Sequence, residues 1–161
     1  MKLRRDKGLT LVELMVTVAV LAIFLAVAAP NLTAVLLKMR LEGVANELRT
    51  DLQYARSESI RLKKAVSLAS AADGSGYSVT DSGGNSLKSV AFAAGTRIGI
   101  TTGSPAPSVS FDPLRGFATV TGGFTLSTTN LTPTLTVSTD SLGRVTECAS
   151  QGKFYGVTNP C

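Results

Sequence analysis

The sequence predicts an α+β protein, in which one long N-terminal helix packs its second half on an antiparallel β-sheet domain. Three observations predict this. Residues 9–29 form an almost unbroken apolar run of about 21 residues, roughly 30 Å as a helix and so the thickness of a bilayer's hydrocarbon core. Beyond Pro30 the apolar residues recur every three to four positions up to Lys64. From Ala65 onward the chain turns rich in Gly, Ser and Thr, with short β-type runs between turn signals.

The chain has 161 residues, so removing the first 30 leaves enough for one modest domain and too little for two. A formal net charge of +5 invites a nucleic-acid reading. Its distribution weakens that reading. Residues 1–8 hold four bases and one acid, whereas residues 65–161 hold five of each. The chain has no His and only two Cys, Cys148 and Cys161, which excludes His-dependent triads, His metal sites and a Cys-only zinc site. No catalytic constellation and no cofactor or metal site is expected. The acids Asp112, Asp140 and Glu147 are scattered, and no base accompanies the many Ser and Thr.

The apolar run has three candidate roles. A secretory signal peptide has a shorter apolar region, about 7–15 residues, followed by a small-residue cleavage site. Here the run is longer and ends on Ala28-Ala29-Pro30. A plain transmembrane anchor leaves Glu13 unexplained, because a carboxylate at membrane depth costs about 2.5–3.5 kcal/mol on insertion scales. No base lies within residues 9–29 to pair with it. Cleavage after Gly8 supplies the missing cation: the new α-amine of Leu9 on a neighbouring copy neutralises Glu13 and sets the axial register between helices.

The stretch K-G-LTLVELMVTVAVLAIFLAVAAP resembles the class III signal of type IV pilins and type II secretion pseudopilins. That pattern has a basic leader ending in Gly, usually Phe next, Glu at the fifth mature position and often Pro at the twenty-second. Gly8, Leu9, Glu13 and Pro30 stand at those positions, with Leu9 in place of Phe. The resemblance implies a type IV pilin-like fold, cleavage between Gly8 and Leu9 by a prepilin peptidase, and N-methylation of Leu9. The Lys/Arg excess before the run keeps the N-terminus cytoplasmic and sends the C-terminal domain across the bacterial inner membrane.

Residues 1–8 are therefore expected to be a leader, 9–30 a transmembrane and assembly helix, 31–64 its amphipathic continuation, and 65–161 a periplasmic β-domain. Pro30 either kinks the helix or marks a short unwound segment. Leu37, Leu41, Val44, Ala45, Leu48, Leu52, Ala55, Ser59 and Leu62 form the stripe that packs on the domain. The interleaved charges, Asp51, Arg56 and Glu58 among them, read as a solvated face, with a polyanion-binding face as the alternative. Strands are expected at 65–69, 77–80, 87–92, 97–100, 108–111, 117–121, 125–128, 134–138 and 144–148. Asp112–Gly116 and Asp140–Gly143 read as turns.

A narrower resemblance lies in LQYARSESIRLKKAVSL, VSFDPLRGFAT and LTVSTDSLGRVTEC, which are similar to segments of the GspH/FimT group with its FimT/FimU-like minor pilins. It implies a non-enzymatic minor pilin that primes assembly of a type IV pilus or sits at its tip. Its partners would be other pilin subunits, the prepilin peptidase and the inner-membrane assembly machinery. A type II secretion pseudopilin is one alternative. A DNA-binding minor pilin is another, since some FimT-type proteins carry a Gly-Arg-x-Arg element. Here Gly143-Arg144-Val145-Thr146 lacks the second Arg, leaving Arg144 and Lys153 as a small patch for DNA. With the C-terminus outside the cytoplasm, a disulfide between Cys148 and Cys161 is permitted, against two free thiols.

Overall fold

The computed structural model describes residues 10–93, 95, 97–103, 105–129, 131–150, 154, 157 and 161, apart from the side chains of 27–31 and 131. Gly8, Leu9 and Lys153 lie outside the described residues. The chain divides into two compact units, Met1–Leu36 and Leu37–Cys161. One helix, α1 (Leu11–Leu62), contributes to both.

The helix starts where Thr10 caps it. The Glu13 amide donates to Thr10 Oγ1 at 3.2 Å and the Leu14 amide to the Thr10 carbonyl at 3.2 Å. A Thr at the cap with Glu three residues on is the sequence of a capping box, and α1 begins directly after it at Leu11. The helical assignment runs through Pro30 without interruption, so the segment does not unwind there. Helix α1 ends at Leu62 because Lys63 turns left-handed, with φ 52°, and the Lys64 amide reaches back to the Ser59 carbonyl at 3.3 Å. That six-to-one bond is the Schellman ending, with Lys where Gly is usual.

In the first unit the apolar side chains face outward, Leu11 at 74 %, Phe24 at 70 % and Ile23 at 67 % exposure. Among the described residues no helix is long and apolar enough to cross a membrane. The described side chains of this stretch stop at residue 26, while the apolar run of the sequence spans 9–29.

Among its described residues the second unit holds nine strands, each within a few residues of its expected place. They are β1 (Val66–Ser70), β2 (Gly76–Asp81), β3 (Ser86–Ala91), β4 (Ile98–Ile100), β5 (Ser108–Phe111), β6 (Ala118–Val120), β7 (Gly123–Thr128), β8 (Leu131–Thr139) and β9 (Val145–Ala149). They form two antiparallel sheets, ordered β3-β2-β1-β5-β6 and β4-β7-β8-β9. Alternation decides which face is inward: Val66 and Leu68, Tyr77 and Val79, Val109 and Phe111, Phe124 and Leu126, and Leu135 and Val137 are all buried. They enclose Leu41, Ala45, Leu48, Leu52 and Ala55 of α1, each at most 1 % exposed. The expected apolar stripe is thus the helix's buried face, and every buried core residue lies within the second unit.

Candidate functional site: assembly residues and a helix–turn clasp

The solvated-face reading of the helix charges needs correction at three residues. Asp51 is 3 % exposed and Glu58 9 %, and the Arg56 side chain is half-buried. Asp51 Oδ2 accepts from the Tyr77 hydroxyl at 2.8 Å, and Oδ1 from Lys88 Nζ at 2.7 Å. Lys88 also lies 3.8 Å from Glu47. Asp51 follows Leu48 by three residues and precedes Ala55 by four, a spacing that places it on the apolar stripe. The presence of a partner Tyr and Lys inside could not be read from the helix alone. Burial first, and then the Asp51 hydrogen bond, push the Tyr77 phenol well above its ordinary range. The Asp51 carboxylate raises Lys88. Because Lys88 lies on edge strand β3, its inward-pointing charge also fixes the sheet edge to the helix and discourages edge-to-edge pairing.

Arg56 makes a second link. Its Nε donates to the Gly116 carbonyl at 2.9 Å and Nη1 to the Gly143 carbonyl at 3.4 Å. Those carbonyls belong to two turns built on one plan. Asp112 Oδ2 accepts the Leu114 and Arg115 amides at 3.0 Å each, and Asp140 Oδ1 accepts the Leu142 and Arg144 amides at 3.0 and 2.8 Å. Each turn closes on a left-handed glycine, Gly116 at φ 64° and Gly143 at φ 76°. A Cβ on Gly143 would stand 2.6 Å from the Gly116 carbonyl oxygen, so the turns pack backbone on backbone. One turn belongs to each sheet, and Arg56 ties both to the helix. Sequence reading found both turns and missed their common anchor, because nothing in the local pattern marks Arg56 apart from its exposed neighbours.

The assembly residues are placed only in part. Glu13 stands in the first turn of α1 and is exposed. Pro30 lies inside α1. Cys148 and Cys161 form a disulfide with Cα atoms 4.8 Å apart, and the Cys161 amide donates to the Ala149 carbonyl at 3.1 Å, which fastens the C-terminus to β9. Arg144 is engaged within its own turn, its Nε 2.8 Å from Asp140 Oδ2. Lys153, the other residue expected to contact DNA, lies outside the described residues. Among the described residues no group of His, Cys, Asp and Glu could hold a metal ion.

A family model described as type II transport protein GspH matches residues 44–143, which is more than half of the chain. The chain belongs to the GspH family. A second model, the prokaryotic N-terminal methylation motif, matches residues 3–29, the span that holds Gly8, Leu9 and Glu13. Two crystal structures of the type IV minor pilin FimU from Pseudomonas aeruginosa (strain PAO1) are similar. At 23 % identity over 66 % of this chain, they cover 87 % and 91 % of the FimU chains with TM-scores of 0.55 and 0.53. That likeness shows a shared type IV pilin fold. No curated protein matches the chain. Family and motif together make it a minor pilin or pseudopilin. The GspH-family span begins in the helix and ends on Gly143, so the Arg56 clasp with both its turns falls inside it. The disulfide and Glu147 fall outside it.

Proposed function

We propose that the protein is a non-enzymatic minor pilin of a type IV pilus, priming assembly or seated at the filament tip. It is cut between Gly8 and Leu9, methylated on Leu9, and held in the inner membrane by residues 9–30 until it joins the filament. Its 65–161 domain is periplasmic before assembly. The observation that carries the reading is the coincidence in one chain of the methylation motif at 3–29 and the GspH-family domain on a pilin fold. Glu13 supports it further: an acid in an apolar helix needs a cation, and cleavage at Gly8 creates one on the neighbouring subunit. The description of the matching family as a transport protein favours a second reading, a type II secretion pseudopilin.

Gly8→Val tests processing. Unprocessed precursor should accumulate, and mature protein at the normal level would contradict the cleavage reading. Glu13→Val should leave membrane association intact yet keep the subunit out of sheared filaments. Normal incorporation would sink the charge pairing. Deleting the gene separates pilus from pseudopilus. Loss of surface pili with exoprotein secretion unchanged supports the first, and the reverse supports the second.

A further inference from the structure

The two turns held by Arg56 each lift a leucine clear of the domain. Leu114 is 85 % exposed, more than any other large apolar side chain among the described residues, and Leu142 is 49 % exposed. The turns present these leucines together. The Asp112 and Asp140 carboxylates hold the Leu114 and Leu142 amides, each at 3.0 Å, and the two backbones meet at Gly116 and Gly143. Phe117 follows Gly116, and Ile60 of the helix reaches it, its Cδ1 3.0 Å from where a Cβ on Gly116 would stand. Both of these side chains are exposed as well. One apolar surface therefore spans two turns and the end of α1 on a rigid base, and exposed patches of this kind mark interaction sites. Every residue of both turns and of the helix end is described.

Cations stand beside it. Residues 56–63, 112–116 and 140–144 hold five bases and three acids. The acids are engaged within the fold: Glu58 by Arg61, Asp140 by Arg144, and Asp112 by the Leu114 and Arg115 amides. Arg115 and Lys63 are exposed and form no ion pair among the described residues. Leucine tips with unspent cations beside them match a layer that is anionic at its surface and apolar below. A protein partner would need a socket shaped to two protruding tips, whereas a fluid lipid layer closes around them.

We propose that the paired turns dock on an anionic phospholipid surface, with Leu114 and Leu142 entering the acyl boundary and Arg115 and Lys63 at the phosphates. Arg56 is a positioning residue, holding the two turns side by side. This binding requires neither the Glu13 pairing nor a choice between pilus and pseudopilus.

The test uses the fragment 37–161, which contains the whole buried core. It is sedimented with vesicles of phosphatidylglycerol and phosphatidylethanolamine in equal parts, and with phosphatidylcholine vesicles as the uncharged control. The fragment should bind the anionic vesicles at least about tenfold more tightly, and less so as salt screens the cations. Leu114→Ser with Leu142→Ser, both on exposed turn positions, should weaken binding at least about tenfold while Tm stays that of the parent. Arg115→Gln should weaken it several-fold. The chain has no Trp, so Leu114→Trp places a single reporter at the tip. Its emission should shift to the blue on anionic vesicles and be quenched by lipids brominated on the acyl chain, which adsorption by charge alone does not produce. Equal binding to both vesicles, an unshifted Trp, or a double variant that binds like the parent would overturn the proposal. So would self-association of the lipid-free fragment that the double variant abolishes, which would assign the tips to a second subunit.

Discussion

Replacing Arg56 by Ala removes the one side chain that holds both turns to the helix. The bond from Nε to Gly116 at 2.9 Å is charge-assisted and contributes about 1.5–3 kcal/mol, while the 3.4 Å contact to Gly143 adds at most about 1 kcal/mol. Both glycines are buried, so their carbonyls gain little water when the guanidinium leaves. The expected loss is about 2–4 kcal/mol, reduced toward the lower figure where the truncation admits water. For a unit of about 125 residues, 1 kcal/mol moves Tm by about 4 °C, so Arg56→Ala should unfold about 8–16 °C earlier. The assay is thermal unfolding of fragment 37–161 followed by circular dichroism. Arg56→Lys keeps the charge and loses the planar fork, so it should recover less than half of the difference. A Tm within about 1 °C of the parent for Arg56→Ala, or full recovery with Lys, would refute the clasp.

Other consequences can be measured on the same fragment. Tyr77 has a raised folded-state pKa, so its stabilising effect is complete below the unfolded value of about 10 and is lost as pH rises above it. Tyr77→Phe should flatten that alkaline decline in urea midpoints. An unchanged slope would mean another group causes it. Cys148→Ser with Cys161→Ser opens a closure of 13 residues and should cost about 2–3 kcal/mol; equal stability with and without reductant would show that the bridge carries none of it. Lys63→Gly suits the left-handed helix end at φ 52° and should raise stability by about 0.5–1 kcal/mol, a lower Tm being the contrary result.

Much of the fold was legible because it is written in periodic patterns. The alternation that puts Val66 and Leu68 inward with Ser67 outward, and the helical spacing of Leu41, Ala45, Leu48 and Leu52, each needs only the chain's local geometry. The turns at Asp112 and Asp140 were readable for the same reason, since an Asp side chain satisfies its own neighbouring amides and a glycine follows with positive φ.

The charged residues of the helix were less legible. Asp51 and Arg56 are chemically indistinguishable in sequence from their solvated neighbours, yet one is buried under Tyr77 and Lys88 and the other holds Gly116 and Gly143. Their partners lie 26 to 87 residues away, so only the packed chain brings them together. By itself the sequence determined the processing motif, the long helix and the nine strands, because leader, acid, period and turn act over a few residues. Only the tertiary structure decided how those strands divide into two sheets and which charges are buried. Those outcomes depend on groups remote in the chain sharing one low-dielectric interior, where an unpaired polar atom is costly and a paired one holds the fold together.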